Sequence, residues 1–300
     1  MLNKYSQFTK NCYIINRICF HFQTSQPYRL RTYRFFYINQ NHDYFDEYQN
    51  HYLTQRLAER CYLPANKMML QLIKQFPDKF KLSFSISGSS IQLFQTYCPE
   101  VIDSFKELVA TGNVEITGRT FTHSIASLYN KTAFLEQVQL QEKLLKSTFG
   151  IKPTSFCNTE IIYSDDIGEW LGDNGYNVIL TEGARHILGW KSPCYLYCNP
   201  YQTDVRLLLR NYRLCDDITL RFTDHGWDQF PLTAEKYIHF LDSSNRECES
   251  PLINLYWDYE TIGEHYTEDT GIFNFFRALV SQLSANPNYS FIVPKDILDL

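Results

Sequence analysis

The chain has 300 residues, of which 44% are hydrophobic and 20% charged, and its formal net charge is −5. This composition is typical of a folded globular protein and excludes a disordered chain. The negative charge gives no sign of a phosphate-rich partner, so we expect no nucleic acid. No apolar run reaches the roughly 20 residues that cross a bilayer, so we expect no membrane segment.

Nine cysteines are spread along the chain without a C-x-x-C pair and without the spacing of a zinc module. Several lie within apolar runs, where a reduced cysteine behaves as a small hydrophobic residue. The first 16 residues hold too short an apolar run for a secretory signal. We therefore expect a cytoplasmic protein with reduced thiols, no disulfide bonds and no metal.

Short runs rich in β-branched, aromatic and aliphatic residues predict strands that are buried on both faces. In chain order these strands cover residues 18–23, 81–87, 114–118, 154–158, 177–181, 252–258 and 290–293. Residues 195–198 and 205–210 are expected to form an inserted hairpin. If one of its strands joined the main sheet, that sheet would have eight strands instead of seven.

Helical patterns alternate with these strands. The clearest helix is Lys131–Phe149, with Gly150 at the position of a C-terminal cap. Ser164, followed by two aspartates, predicts the N-terminus of another helix, and Asp216-Asp217 predicts a third. Strand–helix alternation indicates parallel βαβ units. No glycine-rich phosphate loop follows the first strand, so we favour an irregular seven-stranded parallel (β/α) barrel over an open doubly wound sheet.

In such barrels the active site lies at the C-terminal ends of the strands. Glu160, Glu182 and Asp258 follow predicted strands, and His123 lies just beyond another. Glycoside hydrolysis needs two converging carboxylates, one to attack the anomeric carbon or activate water and one to protonate the leaving oxygen. Each acidic residue is equally compatible with a structural role, such as capping a helix.

Several other residues have two interpretations. Asp224-His225 lacks a third ligand at helical spacing, so the pair does not predict a metal site. Trp190, Trp227 and Trp257 are either platforms for sugar rings or parts of the core. His265 lies shortly after Asp258, either near the site or in a surface loop.

Taken in order, the motifs resemble glycoside hydrolase family 57, in its α-amylase-like branch, from about residue 18 to residue 297. The matching stretches are residues 22–31, 112–124, 158–164, 180–193, 208–218, 231–234 and 258–265. The resemblance implies a seven-stranded barrel that uses retaining chemistry on α-glucosidic bonds, without a metal or organic cofactor. Its partner would be an α-glucan or maltodextrin, and the oligomeric state is left open.

Carried over by motif, Glu160 is the expected nucleophile and Asp258 the expected general acid/base. A retaining pair of this kind is separated by about 5–5.5 Å. Nine further residues are expected to bind substrate: Ser25, Gln26, Glu115, Arg119, His123, Cys157, Trp190, Asp217 and His265. We expect residues 1–17 to be an N-terminal extension and residues 18–300 to be the catalytic barrel, with the family's helical C-terminal domain absent.

Three positions depart from the family pattern. Ser25 and Cys157 stand where the family has a histidine and an arginine, and Arg119 stands where the branch has an acidic or neutral residue. We predict that Arg119 replaces the missing cation close to Glu160, because a nearby guanidinium keeps a carboxylate ionised.

Three functions remain compatible with the sequence. The first is an α-glucan hydrolase or glucanotransferase, favoured by the two carboxylates. The second is a catalytically impaired carbohydrate-binding protein, favoured by Ser25 and Cys157. The third is a related metal-dependent barrel such as a deacetylase or mannosidase, which would need an Asp and two His around one metal.

Overall fold

The computed structural model describes residues 15–244 and 251–300. The strands of this part are β1 Asn16–Thr24, β2 Leu82–Ile86, β3 Val114–Ile116, β4 Ser155–Cys157, β5 Val178–Glu182, β6 Tyr197–Cys198, β7 Arg206–Arg210, β8 Leu252–Asp258 and β9 Tyr289–Ile292. Since β1 begins at Asn16, the last residues of the predicted extension belong to the sheet. Residues 1–14 of that extension lie outside the described residues.

The helices surround the strands and follow the alternation expected from the sequence. They are α1 Glu47–Leu57, α2 Leu63–Gln75, α3 Gly88–Tyr97, α4 Pro99–Ala110, α5 Lys131–Phe149, α6 Asp165–Asp173, α7 Arg185–Leu188, α8 Tyr212–Thr219, α9 Ala234–Ser244 and α10 Ile272–Ala285. A π-helical turn, Ala58–Tyr62, joins α1 to α2. No helix in the described ranges is both long and apolar enough to cross a membrane.

Local capping explains where several helices begin and end. The side chain of Asn130 accepts a hydrogen bond from the backbone N–H of Ala133, and Gly150 ends α5 in the left-handed conformation at φ 72°. Ser164 caps α6 in the same way, as predicted. Asp216-Asp217 does not begin a helix, because Asn211 caps α8 five residues earlier.

Seven strands form a curled parallel sheet in the order β3-β2-β1-β8-β7-β5-β4, which confirms the predicted barrel class. The prediction was wrong about which strand is seventh. Strand β7 lies inside the sheet between β5 and β8 and also carries β6 as its antiparallel hairpin partner. Strand β9 pairs only with the N-terminal half of β1, below β2. This order depends on long-range pairing, which the apolar runs do not encode.

The sheet is divided into two half-sheets. The β8 half-sheet consists of β3, β2, β1 and β8, and the β4 half-sheet consists of β7, β5 and β4. On one side the two half-sheets meet at the partner pair Arg210–Asn254, beside which the N–H of Asn211 donates to the carbonyl oxygen of Asn254. On the other side they meet at the bridge Gly118–Phe156. A Cβ at Gly118 would lie 2.7 Å from the ring of Tyr176, so this close approach requires glycine.

Successive side chains along β1 alternate between the apolar core under the helices and the polar inside of the barrel. Ile18, Phe20 and Phe22 point outward into a large apolar cluster against the helices. Their neighbours face the barrel interior, where His21 lies within hydrogen-bonding distance of Ser83 (2.9 Å) and Ser85 (3.2 Å). The interior wall beneath the C-terminal ends of these strands is therefore polar.

Six cysteines in the described part of the chain have free thiols: Cys19, Cys61, Cys98, Cys157, Cys198 and Cys215. Cys194, the cysteine nearest to Cys198 in sequence, is buried. Cys12 and Cys248 lie outside the described residues.

Candidate active site

A pocket of about 490 Å³ opens at the C-terminal ends of β1 and β8. Gln23 and Asp258, which are register partners at those two ends, form part of its wall. The pocket brings together six of the predicted site residues: Ser25, Gln26, His123, Glu160, Asp258 and His265. Side chains from the loops after four different strands thus meet at one place, as the barrel geometry requires.

Glu160 reaches the pocket through an unusual backbone turn after β4. Its φ and ψ are 52° and 25°, and Ile161 follows with φ 48°. Left-handed geometry is unfavourable for side-chain-bearing residues, most of all for a β-branched one such as Ile161. The side chain of Asn158 stabilises the turn by accepting from the N–H of Thr159 and donating to the carbonyl of Ile162. The turn leaves the carboxyl group of Glu160 accessible, with 66% of the side chain exposed.

His123 holds that carboxyl group from the opposite half-sheet. Its Nε2 lies 2.7 Å from Oε1 of Glu160, and its backbone also has positive φ, at 57°. Arg119 Nη2 contacts the other ring nitrogen, Nδ1. Burial and then the charge of Arg119 lower the pKa of His123, against the opposing effects of Glu160 and Asp258.

Asp258 ends β8 and is oriented by a neighbouring amide. Gln23 Nε2 donates to its Oδ1 at 2.5 Å. The side-chain amide oxygen of Gln23 is buried without a hydrogen-bond partner in the described residues, an exception among buried polar atoms. This residue was not predicted, although its place as an inward-facing residue near the end of β1 is readable from the alternation of that strand.

A second buried network supports the same wall. Gln26 Nε2 (2.9 Å) and the Tyr62 hydroxyl (2.5 Å) both donate to Oε1 of Glu260. Arg29 Nη2 in turn donates to the side-chain amide oxygen Oε1 of Gln26 at 2.7 Å. Burial raises the pKa of Glu260 despite these donors. Glu260 was also missed by the sequence argument, because it lies in a turn beyond the strand end.

Arg119 and Cys157 lie below the pocket, inside the barrel. Arg119 is 1% exposed and contacts Glu160 only through His123. Cys157 is the last residue of β4, and burial raises the pKa of its thiol to about 11. Neither side chain lines the pocket where substrate would enter. Arg119 and Cys157 were predicted to contact substrate, but in the structure they support the groups above them.

Three predicted site residues are found elsewhere. Glu115 lies in the lower barrel interior, where its Oε2 accepts from the backbone N–H of Lys295 at 2.9 Å and burial raises its pKa. Trp190 and Asp217 line a separate hollow of about 820 Å³ beyond β5 and β7. Asp217 forms an ion pair with Arg221 at 2.5 Å. Glu115 lies in the middle of β3, Trp190 follows α7 and Asp217 lies within α8, so the fold carries none of the three to the strand ends around the pocket.

Other candidates have structural roles. Glu182 pairs with Arg210 at 3.0 Å, and Trp257 is buried in the core with 1% exposure. His225 packs against the ring of Phe230. Within residues 15–244 and 251–300, no three His, Cys, Asp or Glu side chains are grouped as metal ligands would be.

The pocket presents the carboxyl groups of Glu160 and Asp258. One of them accepts a hydrogen bond from an imidazole, and the other accepts one from an amide. The left-handed backbone at His123, Glu160 and Ile161 is concentrated where these groups meet, as is common at functional sites.

Comparison with known proteins places the chain in context. The family model described as Glycosyl hydrolase family 57 matches residues 19–299. A protein of Methanocaldococcus jannaschii named "Putative alpha-amylase" is 40% identical over 288 residues, covering 94% of this chain and 59% of the relative. The chain therefore spans less than two thirds of that relative's length.

Two solved structures share the fold over most of this chain. The 4-alpha-glucanotransferase from Thermococcus litoralis superimposes with a TM-score of 0.72 at 15% identity, covering 95% of this chain and 40% of that one. The alpha-amylase AmyC from Thermotoga maritima has a TM-score of 0.70 at 13% identity, covering 95% of this chain and 74% of that one. At these identities the likeness shows a common architecture.

Proposed function

The chain belongs to glycosyl hydrolase family 57, and on that premise we propose that it acts on α-glucans by retaining chemistry at α-1,4-glucosidic bonds. The observation that carries this proposal is that Glu160 and Asp258, which follow strands of different half-sheets, line one open pocket. The alpha-amylase name of the relative that is 40% identical and the glucanotransferase and amylase with the same fold support the substrate class. The catalytic unit is the barrel of residues 18–300.

In the proposed reaction Glu160 attacks the anomeric carbon and forms a glycosyl-enzyme ester. Asp258 protonates the departing glycosidic oxygen, then removes a proton from the acceptor that releases the sugar from Glu160. This requires the carboxyl groups to approach to about 5–5.5 Å in the complex. The exposure of Glu160 and its hydrogen bond from His123 suit the nucleophile, and the hydrogen bond from Gln23 orients the acid.

The remaining pocket residues bind the sugar. Ser25, Gln26 and His265 line the pocket on the side of Asp258, together with Gln23, whose side-chain amide oxygen has no hydrogen-bond partner among the described residues. Hydroxyl groups of a glucose ring both donate and accept hydrogen bonds, so they match this set of amides, hydroxyl and imidazole.

A carbohydrate-binding protein without turnover is the second candidate. It is favoured by Ser25 and Cys157, which stand where the family pattern has a histidine and an arginine. Loss of both groups could remove several kcal/mol of transition-state stabilisation, at about 1.4 kcal/mol for each tenfold in rate.

The test combines turnover with trapping. Purified protein is incubated with maltodextrins, and released reducing ends and new chain lengths are measured. We expect Glu160→Gln to reduce turnover by about 10³-fold or more, equivalent to about 4 kcal/mol. A 5-fluoro glycosyl fluoride should add one sugar to the peptide that contains Glu160, as seen by mass spectrometry.

Glu182→Gln is the matched control, because it removes a carboxylate from the end of β5 outside the pocket. Turnover that survives in Glu160→Gln but not in Glu182→Gln would refute the assignment. Maltodextrin binding without turnover or labelling in the unmodified protein would establish the second candidate. Lengthened products would identify another sugar as the acceptor, and shortened products alone would identify water.

We also place this activity in the cytoplasm. The thiols of Cys19 and Cys215 are free, and burial raises their pKa, which keeps them protonated and unreactive. Buried reduced thiols are compatible with a reducing compartment.

A further inference from the structure

Arg119 is a buried cation directly beneath the proposed nucleophile. It follows β3, and its Nη1 donates to the carbonyl oxygens of Thr24 (3.1 Å) and Ser85 (3.2 Å) at the ends of β1 and β2. These two bonds fix one arm of the guanidinium group. The other arm reaches His123. No carboxylate among the described residues forms an ion pair with Arg119.

The contact with His123 determines where that ring carries its proton. A guanidinium group has only donors, so the atom it contacts must be an acceptor. Nδ1 of His123 must therefore present a lone pair to Arg119 Nη2. In a neutral ring the proton is then on Nε2, the atom that lies 2.7 Å from Oε1 of Glu160.

The charges around His123 act in opposite directions. Glu160 and Asp258 favour the imidazolium form, whereas burial and Arg119 oppose it, and the net effect lowers the pKa of His123 below 6.5. Glu260 and His265 face the same pocket from the loop after β8. In an imidazolium ring Nδ1 would also carry a proton, so two N–H donors, that of Nδ1 and that of Arg119 Nη2, would face each other.

We propose that Arg119 is a positioning residue that holds His123 as the neutral Nε2–H tautomer, so that Glu160 receives a directed hydrogen bond without a counter-ion. This inference rests on the proposed role of Glu160 as the nucleophile. A cationic imidazole would stabilise the carboxylate before attack and make it less nucleophilic. A neutral donor orients the same oxygen while leaving its negative charge largely uncompensated.

The state of the ring can be measured without any substrate. Nitrogen NMR of the full chain labelled with ¹⁵N-histidine reports the protonation of each ring nitrogen, and the spectrum of His123→Gln identifies the signals of His123 among the eight histidines. We expect Nε2 to be protonated and Nδ1 unprotonated at pH 7, with a titration midpoint below the ordinary 6.5 of histidine. A ring protonated on Nδ1, or a cationic ring at pH 7, would overturn the proposal.

Variants of Arg119 test the cause. In Arg119→Gln the midpoint of His123 titration should rise by about 1 to 3 pH units, since a charge has been removed beside it. Arg119→Lys keeps the charge and a donor and should keep the midpoint low. Arg210→Gln removes a different half-buried guanidinium, paired with Glu182 and Asp216, and should not move it. An unchanged midpoint in Arg119→Gln contradicts the proposal. If Arg119→Gln does not fold, the proposal is tested by two other measurements: the tautomer of His123 in the unmodified protein and the midpoint of His123 titration in Arg119→Lys.

Turnover distinguishes this inference from the proposed function. In Arg119→Gln the acidic limb of the kcat/KM profile on maltodextrins should move to higher pH together with the titration of His123. In Arg119→Lys the acidic limb should lie at the same pH as in the unmodified protein. A protein that shows the expected tautomer but no turnover would refute the proposed function alone. A protein with turnover whose acidic limb ignores Arg119 would refute this inference alone.

Discussion

Restoring the family arginine at position 157 should damage this protein. Cys157 is 1% exposed at the end of β4, and its thiol lies close to Ser85, Tyr256 and the charge of Arg119. Cys157→Arg would add a long side chain to this packed interior and place a second cation beside an existing one. That existing cation is Arg119, which is itself 1% exposed and forms no ion pair with a carboxylate of the described residues.

The expected cost follows from three effects. Overpacking a core costs about 1–3 kcal/mol. Two unit charges about 4 Å apart repel by about 4 kcal/mol at an effective dielectric constant of 20. A buried cation without a partner loses several kcal/mol of hydration. Together these approach the whole stability of a typical domain, about 5–15 kcal/mol, so Cys157→Arg should be largely unfolded or weakly folded.

The assay is a double-mutant cycle by urea denaturation, followed by maltodextrin cleavage. Combining Cys157→Arg with Arg119→Gln removes the repulsion and should recover about 3 kcal/mol or more relative to the sum of the single variants. Cys157→Val keeps the volume and should change stability by less than about 1.5 kcal/mol. A Cys157→Arg protein that is as stable as the unmodified chain and cleaves faster would refute the reasoning, and would show that the natural site is impaired.

Two further outcomes test the backbone and the barrel interior. Glu160→Gly should be more stable than Glu160→Ala by about 1 kcal/mol in urea denaturation, because φ at this position is 52° and glycine tolerates left-handed geometry; equal stabilities would contradict the turn. Burial raises the pKa of Glu115 above its ordinary 4.5, so its contribution to stability is complete below pH 4.5 and is lost as the pH rises through the raised value. Glu115→Gln should therefore gain in unfolding free energy relative to the unmodified chain as the pH rises above about 4.5, and a constant difference across that range would show that the carboxyl is not destabilised.

The sequence carried enough information to place the main carboxylates. Glu160 and Asp258 could be predicted because each directly follows a short, strongly apolar run, and the ends of parallel strands converge. The helix Lys131–Phe149 could be predicted because its periodicity and its glycine cap agree.

Other features could not be predicted, and the reasons are physical. Whether β7 or β9 lies inside the sheet depends on pairing between segments far apart in the chain. Glu115 belongs to a strand that passes below the pocket, and two residues along a strand are enough to change its depth in the barrel. Gln23 and Glu260 gain their roles only through side chains that arrive from other strands and helices.

The division of the barrel into two half-sheets has a consequence for how the site works. The proposed nucleophile is carried by the β4 half-sheet and the proposed acid by the β8 half-sheet, and in the described residues one strand partner pair on each side joins the two. The distance between the two carboxyl groups therefore depends on how the half-sheets are joined, and no single half-sheet fixes it. A sugar bound by both carboxyl groups would link the two half-sheets. A substitution at Gly118, where they meet, would alter the separation of the carboxyl groups without touching the sugar.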